Sequence, residues 1–339
     1  MSRRLPRNQV LIGDARDVLA SLPADSVDCI ITSPPYFRLR NYQDGRQIGL
    51  EANVDDYVRE LRLVARKLAR GLKPGGAFWL NLGDTFSRAH AQGAAEKSLV
   101  LAPERLALAL IEDGWVLRNK VVWAKTNPMP TSVRDRLSCT HEVVYFFVRE
   151  PHYFFDLDAI RVPHVSKLSR RVKGHVSWSV PDSWRGPSTG SNTGLDRLKR
   201  AGLVGHPLGK NPGDVWLLAT AGYRGAHHAV FPEKLVERPL LATCPEKVCG
   251  RCGKPWTREP LRTLGHLAVA GELQPTCQCA AAPHPGIVLD PFMGSGTVAS
   301  TATRHGRNWL GIELNPAFAD LANERLARLE QRPPPLRAA

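Results

Sequence analysis

Ser33-Pro34-Pro35-Tyr36 combines the residue types needed to hold a flat ring that carries an amino group. A proline pair has no backbone N–H, so its carbonyls stay available as acceptors. The Ser33 hydroxyl can accept as well, and Tyr36 offers a face for stacking. Alone, Pro-Pro-Tyr is equally a plain loop or a ligand for another domain. A second stretch, Asp290-Pro291-Phe292-Met293-Gly294-Ser295-Gly296-Thr297, joins an apolar run to a helix-forming one. Its glycines let a ligand approach the backbone at the carboxyl edge of a sheet, where open α/β folds take nucleotides. Glu313, ending the next apolar run, is placed to hold ribose hydroxyls. A dinucleotide loop would need a third glycine where Val298-Ala299 stand. A glycine turn without a ligand is the other open reading.

The cysteines form a third group, five of the seven falling between Cys244 and Cys279. Cys249-Gly250-Arg251-Cys252-Gly253 reads as a knuckle, and Cys277-Gln278-Cys279 adds two more thiolates. Cys249, Cys252, Cys277 and Cys279 together suit a closed, tetrahedral, structural zinc site, with reduced spectator thiols as the alternative. Four thiolates leave no open position, which disfavours a catalytic metal. Cys244 is left out of the set.

These groups need a sheet to position them. Val10–Ile12 and Val27–Ile31 read as strands, the second stopped by the two prolines. A helix with Val58, Leu61, Val64, Ala65 and Leu68 on one face closes at Gly71. Pro74-Gly75-Gly76 reads as a turn into the strand Ala77–Leu80. A helix around Leu99–Glu112 follows, then strands Val116–Trp123 and Glu142–Val148. Regular patterning fades from Pro151 to Gly213, where Lys167, Arg170, Arg171, Lys173, Arg185, Arg197, Lys199 and Arg200 surround Trp178 and Trp184. It returns with the strand Ile287–Asp290, a helix from Thr297, the strand Trp309–Glu313 and a helix carrying Leu321 and Leu326. Alternating strands and helices predict a mainly parallel sheet covered by helices. Trp79 and Trp123 read as core; His227 and His228 read as packing or hydrogen-bonding residues.

Among 339 residues, 46 Lys and Arg stand against 32 Asp and Glu, a net charge of +14 that favours a polyanionic partner. A hydrophobic share of 43% excludes wholesale disorder. No apolar run is long enough to span a bilayer, and the basic start lacks a signal peptide's apolar core. A cytoplasmic enzyme is expected.

Taken together, the Ser-Pro-Pro-Tyr and Phe-x-Gly-x-Gly stretches resemble the amino-methyltransferases of DNA. The order here, catalytic loop first and cofactor loop last, is similar to the β group, a circular permutation. Lys73-Pro74-Gly75-Gly76, Gly83-Asp84-Thr85, Trp123 to Pro128, His141-Glu142, Gly213 to Trp216 and His228 to Leu235 also match family segments. The resemblance implies a Rossmann-like S-adenosylmethionine methyltransferase sheet, α/β and circularly permuted, with a target recognition region and a zinc-ribbon insertion. Residues 1–150 would form the catalytic half and 151–213 the recognition region. Residues 214–244 and 286–330 would form the cofactor half, 245–285 the ribbon and 331–339 a tail. It further implies that Ser33, Pro34, Pro35 and Tyr36 are catalytic. Phe231 and Pro232 would lie beside the cofactor's methionine end and Asp14 near its adenine, although an Asp after a strand is often a helix cap. Asp84 carries the same ambiguity. The remaining cofactor contacts are Asp290, Pro291, Phe292, Gly294, Ser295, Gly296, Thr297 and Glu313.

The implied reaction is site-specific methylation of an exocyclic amine on a base flipped out of double-stranded DNA. Ser at the first loop position favours cytosine N4, with adenine N6 as the alternative. Cytosine carbon-5 chemistry is disfavoured because no thiol adjoins Ser33. An RNA methyltransferase and a catalytically silent zinc-bearing DNA-binding protein are the rival classes. A restriction endonuclease acting on the same site is an open partner, as is a second copy of the chain.

Overall fold

The computed structural model describes residues 5–42, 44–164, 206, 208–221, 231–259, 262–264, 267–269 and 271–331. The Lys167–Arg200 cluster with Trp178 and Trp184, and His227 and His228, lie outside the described residues. The chain divides into two compact units, Met1–Asp156 with Gly213–Arg258 and Leu273–Ala339, and Leu157–Pro212 with Glu259–Glu272.

The larger unit is built on eight strands: β1 (Gln9–Ile12), β2 (Val27–Thr32), β3 (Leu72–Leu82), β4 (Val116–Lys125), β5 (His141–Val148), β6 (Val215–Leu218), β7 (Ile287–Asp290) and β8 (Asn308–Glu313). They form one sheet in the order β1-β8-β7-β2-β3-β5-β4-β6. All neighbouring pairs are parallel except those of β5, which is antiparallel to both β3 and β4. The centre of the sheet thus pairs β2, from near the start of the chain, with β7, from near its end. Both strands are buried at every residue, as expected for a sheet covered on two faces.

Alternate residues feed two cores. One face carries Ile30, Phe78, Tyr145, Phe147 and Leu289 against α1 (Ala15–Ser21), α2 (Val54–Gly71) and α3 (Ala102–Glu112). The other carries Cys29, Trp79, Phe146, Val288 and Trp309 against α4 (Glu233–Thr243), α5 (Thr297–Arg304) and α6 (Pro316–Glu330). Trp79 and Trp123 are core residues, as the sequence suggests. The expected alternation therefore yields a three-layer α/β fold.

Pro74-Gly75-Gly76 differs from expectation. It lies inside β3 as an irregularity, since Val27 pairs with Leu72 but Cys29 already pairs with Ala77. There the Phe154 N–H donates to the Gly75 carbonyl at 3.0 Å.

A buried ion pair holds β2 and β7 in place. Asp28, 4% exposed, accepts from Lys73 Nζ at 2.6 Å and from the Ile287 backbone N–H at 2.9 Å. Removing that carboxylate strands an ammonium and a buried N–H together. Asp28→Ala is expected to cost about 3 kcal/mol, which calorimetry would record as a fall in melting temperature of roughly 6–12 °C.

The ribbon expected over 245–285 is only partly one body. Val248–Cys249 pairs with Pro283–His284, and Thr257–Arg258 pairs with Leu273–Gln274, all within the larger unit. The tip, Glu259–Glu272, groups with the smaller unit and contains a short ladder of Arg262–Leu264 with Leu267–Val269. Pro151–Asp156, assigned by the sequence reading to the recognition region, group with the larger unit. There Tyr153 packs edge-on to Phe146 at 5.6 Å. Within the smaller unit, Val162 and Lys210 bridge, and Arg161 pairs with Asp158.

Candidate active site

β2 ends at Thr32, and the two prolines that follow force the chain out of the sheet. β7 ends at Asp290 and releases the glycine-bearing loop beside it. Because β2 and β7 are parallel neighbours, both loops leave the same edge. A cavity of about 460 Å³ opens there. Its wall includes Ser33, Pro34, Pro35 and Tyr36 from one loop and Pro291, Phe292, Gly294, Ser295 and Thr297 from the other. Asp14, Phe231 and Glu313 also line the wall. Three expected cofactor residues stand behind the wall instead of in it. Pro232 starts α4, Gly296 caps α5 with φ 76°, and Asp290 is buried beneath its loop.

Around the Ser33–Tyr36 loop, the polar groups form one connected chain. Ser33 Oγ donates to the Tyr36 hydroxyl at 3.2 Å, and Tyr36 donates to Glu142 Oε2 at 2.5 Å. Asn81 Nδ2 donates to both the Tyr36 oxygen and Glu142 Oε2, at 2.5 and 2.7 Å. Lys125 Nζ holds the second carboxylate oxygen at 2.6 Å. Burial pushes the Tyr36 phenol well above its ordinary pKa, and the Glu142 charge adds to this, so Tyr36 keeps its proton. The ring reaches this position because residue 83 is glycine; a Cβ there would lie 2.7 Å from Tyr36 Cε2.

At the Asp290–Thr297 loop, Asp290 Oδ1 accepts from Thr32 Oγ1 at 2.6 Å and from Phe292 N–H at 3.1 Å. Asp290 Oδ2 is buried with no hydrogen-bond partner among the described residues. A buried acceptor in that state calls for a donor group. Glu313 accepts from the Gly294 and Asn315 N–H groups at 2.7 and 2.9 Å, which fixes the loop to β8. Gly311 lies beneath it in direct contact with Met293, since a Cβ there would fall 1.8 Å from Met293 Sδ. Asp14 lines the cavity, but its carboxylate is taken up by Arg16 at 2.6 Å and by the Arg16 N–H at the start of α1. Asp84 accepts from the Leu101 and Ala102 N–H groups and so serves the start of α3.

Burial pushes the Asp290 carboxyl up to about 7 from an unfolded value of 3.8. The folded chain therefore holds this proton more tightly than the unfolded one. The associated stability is complete below 3.8 and is lost as pH rises through about 7. Asn cannot ionise, so the melting temperature of Asp290→Asn minus that of the wild type should grow between pH 4 and pH 8. A difference that stays flat with pH, measured without ligand, would contradict the assignment.

Away from this edge, the sulfur atoms of Cys249, Cys252, Cys277 and Cys279 lie within 4.8 Å of one another. The turn between the first two is closed by Gly253 N–H donating to the Cys249 carbonyl at 3.0 Å. The arrangement fits a tetrahedral thiolate site, and Cys244 is excluded from it, being buried beside α4.

Asn81, Lys125 and Glu142 have no role in the sequence reading, although the segments that contain the last two stand out in it. Tyr42 and Phe318, which meet edge-on at 6.3 Å in the cavity wall, are also absent from it.

A family model described as DNA methylase, of the N6/N4 type, matches residues 27–324. The chain is 31% identical to the Type II methyltransferase M.SmaI of Serratia marcescens, over 94% of this chain and 91% of that protein. It is also 31% identical to the Type II methyltransferase M.Cfr9I of Citrobacter freundii, over 93% and 86%. Among solved structures, the PvuII cytosine-N4-specific DNA methyltransferase matches with a TM-score of 0.59 at 18% identity, covering 95% of this chain and 86% of that one. The protein TTHA0409 of Thermus thermophilus, solved in complex with S-adenosyl-L-methionine, matches with a TM-score of 0.51 at 22% identity, over 94% and 95%. Two loops from distant parts of the sequence meeting at one sheet edge, and a family match spanning most of the chain, agree: this protein belongs to the N4/N6 amino-methyltransferase family of DNA methylases.

Proposed function

We propose that this protein transfers a methyl group from S-adenosyl-L-methionine to the exocyclic N4 amine of a cytosine flipped out of double-stranded DNA. The observation that carries the reading is the shared cavity, with Ser33 and Pro34 in one wall and Phe292 and Gly294 in another. Its volume lies within the roughly 300–1,000 Å³ usual for small-ligand sites. Asp290 anchors the loop from beneath through Thr32 Oγ1 and the Phe292 N–H, and Phe231 and Phe292 supply apolar wall. S-adenosyl-L-methionine brings an electrophilic methyl group on a sulfonium centre.

The protein's own task is positioning. Ser33 Oγ and the Pro34 carbonyl accept the two amine hydrogens, which draws the nitrogen lone pair out of conjugation with the ring. Tyr36 offers its face to the base. Asp290, Glu313 and the Pro291–Thr297 loop hold the donor molecule. Ser at position 33 favours cytosine, in keeping with the N4-specific name of the PvuII neighbour. The Type II relatives make a restriction endonuclease of the same site the expected companion. The four clustered cysteines hold a structural zinc ion.

Transfer of labelled methyl groups to DNA and to RNA of matched sequence tests the substrate class. Label on duplex DNA supports the reading. Label on RNA alone, or bound cofactor with no transfer to either, overturns it.

A further inference from the structure

We infer that Glu142 is a positioning residue that sets the direction of the hydrogen-bond chain through Tyr36 and Ser33, so that Ser33 presents lone pairs, not a proton, to the target base. The inference rests on the reading above and assigns to Glu142 a role in telling an amino base from a keto base.

The short contact fixes the direction. An oxygen–oxygen separation of 2.5 Å between Tyr36 and Glu142 needs a proton between the two atoms. The carboxylate has none to give, being held by Lys125 Nζ on one oxygen and Asn81 Nδ2 on the other. Tyr36 must therefore donate to Glu142. Its oxygen then has two lone pairs left, one of which takes the Asn81 N–H. The other takes the Ser33 proton at 3.2 Å. With its proton committed inward, Ser33 Oγ can only accept from a ligand. A cytosine or adenine amine donates hydrogens and is matched; the corresponding keto oxygen is not.

The same chain gives the proton shed by the methylated amine an inward path. That proton bonds to Ser33 Oγ, the Ser33 proton passes to the Tyr36 oxygen, and the Tyr36 proton passes to Glu142. Every donor in the chain already points that way, and the Glu142 charge is neutralised by one proton.

Glu142→Gln keeps shape and size but places an amide NH₂ where a carboxylate oxygen stood. A primary amide can donate to Tyr36, which then donates to Ser33, which then directs its proton outward. The test compares duplexes carrying either the amino base or its keto analogue at the target, uracil for cytosine or hypoxanthine for adenine. Binding is measured for wild type, Glu142→Gln, Tyr36→Phe and the double variant, with S-adenosyl-L-methionine affinity and single-turnover rates in parallel. Because each protein is compared across the same two duplexes, the cost of the altered base pair cancels.

We expect the wild-type preference for the amino base to fall about tenfold or more in Glu142→Gln, with cofactor affinity unchanged and turnover reduced. Tyr36→Phe interrupts the chain, so adding Glu142→Gln to it should change neither preference nor rate further. An unaltered preference in Glu142→Gln, or losses that simply add in the double variant, would overturn the inference. Absence of methylation by the wild type would instead count against the proposed function itself.

Discussion

Ser33→Ala is expected to bind S-adenosyl-L-methionine as the wild type does while single-turnover methylation falls about a hundredfold or more. The cavity wall proposed to take the cofactor includes Pro291, Phe292, Gly294, Ser295, Thr297, Glu313 and Phe231, while the Ser33 hydroxyl bonds Tyr36. The substitution therefore removes one acceptor and nothing else from the ligand side. The lost acceptor acts on the amine while its lone pair is leaving conjugation, so the effect belongs in the rate of transfer more than in binding. Tyr36 keeps Asn81 and Glu142 as partners, which holds its ring in place. A variant that binds cofactor normally and turns over at the wild-type rate would remove Ser33 from the chemistry.

Loss of the metal is expected to have the second-largest effect, this time on stability. Among the described residues of the larger unit, the ribbon's backbone pairing without an ion is two ladders of two residue pairs each and the single Val248–Pro255 bridge. Such short ladders are marginal by themselves. The ribbon returns directly into β7, because Gly286 N–H donates to the Pro245 carbonyl at 3.0 Å and Ile287 begins the strand. Even a third of the roughly 10–16 kcal/mol apparent for structural zinc in small domains would lower the melting temperature by about 10 °C at this size. Purified protein should contain one zinc ion per chain by elemental analysis. Cys252→Ser with Cys277→Ser should lose both the metal and that margin of stability. Metal-free protein with an unchanged melting temperature would show the cysteines to be spectators.

The layout of the sheet was legible because its signals are local. Two prolines after Thr32, the apolar run ending at Asp290 and the glycines after it mark where strands stop, and parallel neighbours place those ends together. Pro74 to Gly76 misled because proline and glycine normally bound a strand, whereas here they occupy an irregularity within β3. The Glu142 network was illegible for a different reason. Asn81 stands opposite Val144 on β5, and Trp123 on β4 stands opposite Glu142. With a side-chain period of two, Asn81, Glu142 and Lys125 then share one face. That registry exists only once three strands have paired, and no spacing along the chain announces it. Asp14 shows the converse, a residue whose cap role and cavity position are both real.

The most direct test is nucleoside mass spectrometry of duplex DNA incubated with the purified protein and S-adenosyl-L-methionine. N4-methylcytosine is the expected product, and it should vanish with Ser33→Ala. N6-methyladenine would move the target to the other amino base, and 5-methylcytosine or unmodified DNA would contradict amine methylation at this site.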